Sequence, residues 1–435
     1  MNPRSRQILL GLGDIFLFYL SLLGAVFFGF WGSFSWEIFS EHLLPFTILY
    51  LFWLIIFYIF GLYDLNLIRT HFNNYSRLLG ALGVSLILGM VFFYLIPFFE
   101  ITPKTNLLLN VLIFGALIFG WRRAFYSLFS LHFLNKVAFV GENSQTLKLA
   151  KEITSHPYLG YKLTTIDPKG DLLSQTQAEK IDTLIVADDL KSNPEMVENL
   201  YRCLPAKINF LDLSKAYEII CEKIPIDYIA QTWFLENLRE GEKGLYDKLK
   251  RILDVVLASA ILLLTFPFWL FIIGAIKLEG KGPIFYSQKR IGKERKPFLL
   301  IKFGSMIKDA EKTGAVWAEK EDPRVTKVGK ILRRLHLDEI PQMLNVLKGD
   351  ISLVGPRPER LEFVEQLEKE VPYYHIRHLI KPGFTGWAQI KFRYSRSVID
   401  SFEKFQYDLY YLKNRSLFLD LQILLKTFQL FFRKE

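Results

Sequence analysis

The sequence has few cysteines and lacks a glycine-rich dinucleotide fingerprint. Its 435 residues include only Cys203 and Cys221, so a framework of several disulfides and a cysteine-rich zinc site are both excluded. We expect both thiols to be reduced and inert in a cytoplasmic domain. The turn after the first strand of the middle region reads G-E-N-S-Q-T at 141–146, without two of the three glycines that a dinucleotide turn needs. We therefore expect no nicotinamide cofactor.

Apolar and basic residues, by contrast, are abundant. Hydrophobic residues make up 51% of the chain and aromatic residues 15%, with 39 phenylalanines, which is high for a soluble protein and indicates a membrane protein. The 54 lysines and arginines exceed the 44 acidic residues, and the net charge is +10. Such an excess favours either a nucleic acid or an anionic membrane surface as partner. Because so much of the sequence is apolar, we expect the membrane and no nucleic acid.

Four apolar segments before residue 125 predict a four-helix transmembrane region over residues 1–134. The segments are 8–30, 43–62, 78–99 and 107–121, of which the last is short and is expected to extend at one end. Arginines flank the ends that must share one side: Arg4, Arg6, Arg69, Arg77, Arg122 and Arg123. The opposite ends carry Glu37, Glu41, Glu100 and Lys104. The positive-inside rule places both ends of this region in the cytoplasm, as in a multi-pass protein of the inner (cytoplasmic) membrane.

One carboxylate, Asp14, lies inside the first apolar segment. An ionisable group within a membrane helix is a functional candidate by default. Asp14 is close to the cytoplasmic end of its segment, however, so we expect it to snorkel or to form a helix–helix hydrogen bond. Its predicted role is structural.

The region 135–240 has the composition of a soluble α/β domain. Strands are predicted at 137–140, 162–166, 183–187 and 208–211, with a helix at 146–155. Strands that alternate with helices indicate a parallel sheet. Beyond this domain, Tyr246 and Lys250 have the Y-x-x-x-K spacing of short-chain dehydrogenases. We attribute that spacing to chance, because both residues lie outside the sheet.

A second long apolar segment, 255–276, contains no charged residue and is long enough to cross the bilayer. Basic residues flank it at both ends: Lys248, Lys250, Arg251, Lys277, Lys281, Lys289 and Arg290. Because basic flanks stay in the cytoplasm and Pro267 removes a backbone donor, we predict a re-entrant helix over 253–278 that breaks near Pro267 and returns. The Thr265 hydroxyl would bond carbonyls freed at the break. An ordinary Pro-kinked span is the alternative.

The most informative stretch, at 333–360, reads R-R-L-H-L-D-E-I-P-Q-M-L-N-V-L-K-G-D-I-S-L-V-G-P-R-P-E-R. Its adjacent carboxylates, Asp338 and Glu339, lie between a basic helix predicted at 327–337 and a new helix that begins at Pro341. A helix start offers N–H groups to phosphate. Two ionised neighbours repel each other unless a cation shares them, and Mg²⁺ with oxygen ligands is the obvious candidate.

Arg357 lies between two prolines in G-P-R-P at 355–358. The residue before a proline is held in extended backbone, and a guanidinium fork matches the spacing of phosphate oxygens. By itself, however, an adjacent Asp–Glu pair is more often an exposed helix surface than a catalytic site. The motif therefore needs its wider context.

That context resembles the bacterial sugar transferases, the polyprenyl-phosphate glycosyl-1-phosphate transferases, from about residue 246 to residue 428. The matching stretches are G-P-I-F-Y at 282–286, K-F at 302–303, D-A-E at 309–311, the signature from Leu337 to Arg360, and P-G-F-T-G-W-A-Q at 382–389. The resemblance implies a mostly α, monotopic catalytic domain over 241–435, with the re-entrant helix near its start. It also implies that the middle domain is a degenerate Rossmann-like unit, for which regulation, assembly and nucleotide sensing stay open as roles.

The implied activity is transfer of a sugar-1-phosphate from a UDP-sugar to polyprenyl (undecaprenyl) phosphate in the bilayer, through an aspartyl phosphosugar intermediate. It would initiate exopolysaccharide or surface glycan synthesis. Asp338 would be the nucleophile and Glu339 the Mg²⁺ ligand. The residues implied to bind substrate phosphates are Arg357, Lys302, Arg290 and Arg360. A homo-oligomer also stays open.

The sequence departs from the family pattern at two positions. It has K-F-G-S-M at 302–306 where the family has K-F-R-S-M, so Gly304 removes one phosphate or structural contact. Phe266 stands where a serine usually precedes Pro267, which leaves the details of the break open.

Two alternatives to the transferase follow. Gly304 alone favours a catalytically impaired membrane scaffold, and the missing glycines disfavour a membrane-anchored nucleotide-sugar dehydratase or epimerase.

Overall fold

The structure, a computed structural model, describes most of the chain in two compact units, Met1–Cys221 and Glu222–Glu435. The described residues are 3–63, 71–96, 104–129, 135–141, 143–155, 161–167, 170–187, 193–206, 208–238, 240–280, 282–308, 322–392 and 397–432. Several residues named above lie outside them: Arg69, residues 97–99 of the third apolar segment, Glu100, Glu142 of the G-E-N-S-Q-T turn, Lys281 and the D-A-E stretch at 309–311.

The first unit begins with four long apolar helices. They are α1 (Pro3–Gly29), α2 (Trp36–Ile59), α3 (His71–Leu95) and α4 (Lys104–Phe129). Each contains a stretch that is long and apolar enough to cross a membrane. Each of the four segments predicted from hydropathy is therefore helical over most of its length, and the fourth helix extends beyond 107–121 at both ends rather than at one.

Aromatic side chains from these helices share one apolar core. Phe18 of α1 stacks on Tyr50 of α2 and on Phe114 of α4, with ring centroids 4.5 Å apart in both pairs. Trp53 and Phe57 belong to the same buried cluster. Rings packed this closely exclude water and add specific ring–ring attraction to the burial of apolar area.

A buried ion pair joins the first and fourth helices. Asp14 of α1 is fully buried, Arg122 of α4 is 6% exposed, and Arg122 Nη2 lies 2.5 Å from Asp14 Oδ2. Arg122 also donates through Nη1 to the Leu62 carbonyl at 2.9 Å. The helix–helix contact expected of Asp14 is therefore confirmed.

The rest of the first unit is a small parallel α/β fold. Its strands are β1 (Asn135–Val140), β2 (Tyr161–Leu163), β3 (Thr183–Val186) and β4 (Asn209–Asp212). They pair in the order β2-β1-β3-β4, and every pairing is parallel. The intervening helices are α5 (Ser144–Ser155), α6 (Leu172–Glu179), α7 (Pro194–Arg202) and α8 (Leu213–Cys221). The four predicted strands, the helix after the first of them and the parallel sheet are confirmed.

The second unit is mostly helical, with two small strand pairs. Its helices are α9 (Gln231–Asn237), α10 (Gly244–Glu279), α11 (Lys327–Arg334), α12 (Gln342–Lys348), α13 (Leu361–Glu370), α14 (Trp387–Lys391), α15 (Val398–Asn414) and α16 (Leu417–Phe432). Strands β5 (Phe285–Ile291) and β6 (Pro297–Phe303) form an antiparallel hairpin, and β7 (Ser352–Val354) pairs in parallel with β8 (Gly383–Thr385).

Helix α10 is also long and apolar enough to cross a membrane, and it passes through Pro267 as one continuous helix. The break in the helix that was expected at Pro267 is therefore not present. A helix in apolar surroundings tolerates one missing backbone N–H at a proline. The Thr265 hydroxyl donates to the Ile261 carbonyl at 2.7 Å. The carbonyl that lacks its usual donor is that of Leu263, because Pro267 has no N–H. The Thr265 hydroxyl therefore does not bond the carbonyl that the proline leaves unpaired within the helix.

One apolar core runs through the second unit and includes residues that precede 241. Ile224 and Phe234 belong to the same buried cluster as Trp387 and Leu409. The compact unit accordingly begins at Glu222, before the start of the catalytic domain predicted at 241. The short apolar segment before α10 has no long periodic pattern, so its side chains find their partners only in the folded chain.

Tyr246 and Lys250 have a packing role on α10. They donate to the same oxygen of Asp420 in α16, at 2.8 Å and 2.7 Å. The Tyr411 hydroxyl donates to the other Asp420 oxygen at 2.7 Å. Residues four apart share one face of a helix, so the Y-x-x-x-K spacing here fixes α10 to α16.

We expect Asp14→Asn to lower the melting temperature of the protein in detergent. The substitution leaves the buried Arg122 guanidinium without its counter-charge, which costs about 3–5 kcal/mol when one partner of a buried pair is removed. The double variant Asp14→Leu/Arg122→Leu should recover much of the loss, because it removes both charges. Thermal unfolding followed by tryptophan fluorescence measures the effect. The exposed Glu41→Gln is the control, and an Asp14→Asn protein as stable as that control would contradict the prediction.

Candidate active site

The two adjacent acids lie on a tight turn between two helices. Helix α11 ends at Arg334, the chain turns at His336 with a φ of 53°, and the 3-10 turn Leu337–Glu339 leads to α12. A residue in the left-handed region lets the chain change direction within few residues. The junction between two helices that was predicted at Asp338 and Glu339 is confirmed.

Glu339 binds two cations through one oxygen. Its Oε1 lies 2.5 Å from Lys302 Nζ and 3.3 Å from Arg357 Nη2. Lys302 comes from β6 and Arg357 from the loop after β7, so three of the predicted site residues meet here. Burial raises the pKa of Glu339, but Lys302 and Arg357 outweigh burial and hold this pKa well below its ordinary value. Glu339 is therefore ionised.

Asp338 is buried but lacks such partners. It is 6% exposed, and no group among the described residues donates a hydrogen bond to its carboxylate. Burial raises the pKa of Asp338 above its ordinary value, Lys302 opposes this, and the neighbouring charge of Glu339 adds to it. The lone pairs of this carboxylate are thus available to an incoming group.

The loop that carries Arg357 is shaped by two motifs that meet in space. Strand β7 leads into G-P-R-P and pairs with β8 of the P-G-F-T-G motif. The Gly355 N–H donates to the Thr385 carbonyl at 2.8 Å. A Cβ added to Gly383 would lie 2.0 Å from the Gly355 nitrogen, so only glycine permits this approach of two backbones. The motifs are far apart in the sequence, and together they place Arg357 beside Glu339.

The other two predicted phosphate ligands lie beside this loop. Arg290 of β5 donates through Nη1 to the Pro358 carbonyl at 3.0 Å, and the same atom lies 3.7 Å from Glu359 Oε2. Arg360 directly precedes α13. Burial lowers the pKa of Arg290, and the positive charges of Arg357 and Arg360 lower it further. Contact of Arg290 or Arg360 with a substrate phosphate stays a prediction.

The start of α12 offers fewer donors than its sequence suggests. Pro341 has no N–H, and the N–H groups of Met343 and Leu344 donate to the carbonyls of Ile340 and Pro341 at 3.0 Å each. These donors are engaged within the turn, where each N–H bonds three residues back. They give no support to phosphate binding by this helix start.

The sequence assigned no role to three charged residues near the site. Arg377 pairs with Asp408 at 3.0 Å and donates to the main-chain carbonyl of Arg357 at 3.0 Å. Arg333 donates to the Ser305 hydroxyl at 2.9 Å. Arg377 lies shortly before the P-G-F-T-G motif, and this nearness is the one sequence feature that could have drawn attention to it.

Helix α10 reaches the strand that leads to the Arg357 loop. The buried Asp254 carboxylate accepts hydrogen bonds from the Ser352 hydroxyl at 3.1 Å and from the Leu353 N–H at 3.0 Å. Both donors belong to β7. A helix that is long and apolar enough to cross a membrane is therefore bonded directly to the strand that leads to Arg357.

Gly304 lies where two backbone segments are in contact. Its N–H donates to the Ile284 carbonyl at 2.8 Å, and an added Cβ would lie 1.7 Å from the Pro283 carbonyl oxygen. Any side chain at this position therefore requires the main chain to move. The close contact with Pro283 explains why glycine occupies position 304. The scaffold alternative, which depended on this residue alone, therefore loses its support.

The acidic pair fits a metal only in the company of a substrate. Within the described residues there is no group of three or more His, Cys, Asp or Glu side chains that could hold a metal ion. Mg²⁺ is commonly bound by one or two carboxylates plus substrate phosphates, so Asp338 and Glu339 fit if phosphate oxygens complete the set. Both cation contacts of Glu339 involve Oε1, which leaves Oε2 as the oxygen for a metal.

Comparisons with known proteins converge on the same part of the chain. The family model of bacterial sugar transferases matches residues 245–434. The UDP-glucose:undecaprenyl-phosphate glucose-1-phosphate transferase of Escherichia coli (strain K12) is 34% identical over 331 residues, which cover 71% of this chain and 69% of that relative. The UDP-N-acetylgalactosamine-undecaprenyl-phosphate N-acetylgalactosaminephosphotransferase of Aeromonas hydrophila is 40% identical over 240 residues, 55% of this chain and 56% of that relative.

A shorter relative shows how small the shared part can be. The exopolysaccharide production protein PSS of Rhizobium leguminosarum bv. phaseoli is 41% identical over 187 residues. These residues are 41% of this chain but 92% of that protein. Less than half of the chain is thus similar to nearly all of that relative, whereas the chain covers little more than half of the Aeromonas protein.

We expect Gly304→Ala to destabilise the protein. The new Cβ would overlap the Pro283 carbonyl oxygen, and the backbone shift that relieves the overlap costs about 1–3 kcal/mol, as overpacking usually does. Gly274→Ala on α10 is the matched control, because its added Cβ would meet no atom within 4 Å. Thermal unfolding in detergent should show a lower melting temperature for the first variant only. Equal melting temperatures for the two variants would disprove the steric explanation.

Proposed function

The chain belongs to the bacterial sugar transferase family, and we propose that it transfers a sugar-1-phosphate from a UDP-sugar to polyprenyl (undecaprenyl) phosphate. The products would be a lipid-linked diphosphosugar and UMP. The reaction would initiate the synthesis of an exopolysaccharide or another surface glycan at the cytoplasmic face of the inner membrane. The names of the Escherichia coli and Aeromonas hydrophila relatives support this class of reaction.

One observation carries the chemical part of the proposal: two neighbouring carboxylates have opposite surroundings. Asp338 is buried and receives no hydrogen bond from a described residue, whereas Glu339 binds Lys302 and Arg357. A nucleophile beside a cationic site is the arrangement that attack on a diphosphate requires, because the cations neutralise the phosphate oxygens that would otherwise repel the attacking carboxylate.

In the first step, a carboxylate oxygen of Asp338 attacks the β-phosphorus of the UDP-sugar. An Asp338 O–P bond forms as the bond between that phosphorus and the bridging oxygen breaks, and the bridging oxygen leaves with its electron pair as part of UMP. An ionised carboxylate needs no separate base for this attack. Arg357 and Lys302 neutralise the phosphate oxygens as charge builds up on the leaving group.

In the second step, a phosphate oxygen of the polyprenyl phosphate attacks the same phosphorus. The Asp338 O–P bond breaks, the carboxylate is regenerated, and the sugar remains attached to the lipid through a diphosphate. An acyl phosphate is reactive enough to pass on its phosphoryl group. UMP therefore leaves before the lipid reacts, and the kinetics are of the two-step type.

Glu339 is the residue that would hold Mg²⁺, through Oε2 and together with oxygens of the bound diphosphate. When bound there, Mg²⁺ supplies further neutralisation of the diphosphate charge. The remaining role of Glu339 is to orient Lys302 and Arg357 through Oε1, whether or not a substrate is present.

We also propose that α1–α4 cross the membrane with both ends of the group in the cytoplasm. We propose further that α10, although helical throughout, bends at Pro267 and so enters and leaves the membrane from the cytoplasmic side. Both ends of α10 are bonded to the second unit. Asp254 bonds β7, and Glu279 accepts from the N–H groups of Lys327 and Val328 at 2.8 Å and 3.0 Å. Between these ends, the side chains around Pro267 are apolar and more than half exposed, as lipid contact requires: Leu263, Leu264, Phe266, Phe268, Leu270 and Phe271.

We expect Asp338→Asn to abolish transfer. The amide cannot form the phosphosugar intermediate, so UMP release from a UDP-sugar should fall by a factor of roughly 10³ or more. Radiolabelled sugar phosphate trapped on denatured wild-type protein should be missing from the variant. Purified protein is assayed with undecaprenyl phosphate across a panel of UDP-sugars.

Two further variants make this test specific. Glu339→Gln should lower the rate and weaken the response to Mg²⁺ together, because it loses one carboxylate oxygen. Glu365→Gln, an exposed change on α13 with the same loss of charge, should leave both unchanged. If the Asp338→Asn protein still accumulated covalent sugar phosphate, the nucleophile would be another residue.

Single cysteines test the path of α10. In a background with Cys203→Ser and Cys221→Ser, the exposed positions Leu245→Cys and Ser287→Cys should react with a membrane-impermeant maleimide in inverted vesicles but not in spheroplasts. Ser33→Cys, between α1 and α2, should react in the opposite way. Labelling of Leu245→Cys and Ser287→Cys from opposite sides would show that α10 spans the membrane.

A further inference from the structure

The main chain around Arg357 depends on its carbonyl groups for support. Pro356 and Pro358 have no N–H, so these two residues cannot be fixed by donating hydrogen bonds. All three carbonyls of this stretch accept one. The donors are Gly383 N to Pro356 at 2.8 Å, Arg377 Nη2 to Arg357 at 3.0 Å, and Arg290 Nη1 to Pro358 at 3.0 Å. Two of the three donors are arginine side chains.

Arg377 is the more deeply buried of the two arginines. Its side chain is 5% exposed, it pairs with the equally buried Asp408 at 3.0 Å, and its Nη1 donates to the Tyr374 hydroxyl. One guanidinium thus bonds a carboxylate, a phenol and the Arg357 carbonyl at once. The rigid fork of arginine can direct donors to several fixed acceptors, which a lysine ammonium on a flexible chain does not reproduce.

Stability alone is a poor explanation for this pair. The cost of removing two charges from water offsets much or all of their attraction, so a buried ion pair seldom adds net stability. The third acceptor of Arg377 is the main-chain carbonyl of Arg357, which is proposed to bind substrate. This contact indicates a role in holding Arg357 in place.

We propose that Arg377 is a positioning residue, assisted by Arg290, which fixes the main chain of Arg357 so that its guanidinium meets Glu339 and the donor phosphate. This inference rests on the proposed function, in which Arg357 binds phosphate. It also gives Arg290 a role at the loop, in addition to the phosphate contact that the sequence predicts and that stays untested.

The geometry makes this positioning sensitive. Arg357 Nη2 and Glu339 Oε1 are 3.3 Å apart, which is near the upper limit for a hydrogen bond between charged groups. A displacement of the loop by a few tenths of an ångström would therefore break the contact. Misplacement by roughly 1 Å of a group that orients the reacting atoms can cost about 10²-fold in rate.

The test is a double-mutant cycle on the rate of UMP release. Arg377→Lys keeps the charge but loses the fork, and its kcat/KM should fall roughly 10- to 100-fold. Arg357→Met should fall at least as far. Since Arg377 acts through Arg357, the double variant Arg357→Met/Arg377→Lys should be no slower than Arg357→Met alone. Effects that multiply in the double variant would overturn the inference, because Arg377 would then act independently of Arg357.

Arg415→Lys is the matched control. Arg415 is also 5% exposed and pairs with a carboxylate, the half-exposed Asp247, at 2.9 Å, but it is not among the described donors to the three loop carbonyls. Its replacement should also lower the melting temperature, while kcat/KM stays within about twofold of wild type. An equal loss of kcat/KM in both variants would reduce the role of Arg377 to general stability and overturn the inference.

Two outcomes of the variants need separate treatment. If Arg377→Lys does not yield folded protein, Asp408→Asn takes its place in the double-mutant cycle, because it removes the partner that orients Arg377. The double variant Arg357→Met/Asp408→Asn should then be no slower than Arg357→Met alone. If Arg357→Met itself has wild-type activity, phosphate binding by Arg357 is wrong and the inference falls with it. An impaired Arg357→Met protein with multiplicative effects rejects the inference alone and leaves the proposed function standing.

Discussion

The site depends on one carboxylate oxygen that binds two cations. Glu339 Oε1 holds Lys302 from the end of a hairpin and Arg357 from a loop between prolines, while Glu339 itself lies on a turn between helices. The Glu339 side chain is only 13% exposed, so water and salt screen these attractions less than on a surface. Asp338, the residue before Glu339, accepts no hydrogen bond from any residue that the structure describes. Two adjacent carboxylates thereby acquire different pKa values, which their sequence neighbourhood alone would not separate, and the proposed mechanism gives them different roles.

Helix α10 connects this ion cluster to the membrane. The middle of α10 is apolar. The polar residues in its N-terminal part form hydrogen bonds within the second unit: Asp254 with β7, and Tyr246 and Lys250 with Asp420. Strand β7 leads directly into the loop that carries Arg357. In the proposed reaction, a lipid substrate delivered along α10 would therefore arrive at an element that shares hydrogen bonds with the strand leading to Arg357.

The sequence by itself determined the features that depend on local composition and period. Long apolar runs identified α1–α4 and α10, because membrane length requires an unbroken apolar segment. Short apolar strands alternating with helices identified the parallel sheet. The proline after Glu339 marked the start of α12, since proline is favoured at the first turn of a helix. Even the acidic pair and Arg357 could be selected from the sequence, although their assignment needed the resemblance to a family as well as the residue types.

Only the tertiary structure decided which of these groups meet. Lys302 and Arg357 share one oxygen of Glu339, Arg290 bonds a loop carbonyl, and Arg377 supports the main chain of Arg357. Each contact joins residues from different elements, and a periodic pattern records nothing about such partners. The uninterrupted course of α10 through its proline was also decided in the fold, because a proline weakens a helix locally while the surroundings determine whether the helix continues. Local chemistry thus identified the candidate site residues, and long-range packing determined which of them are in contact.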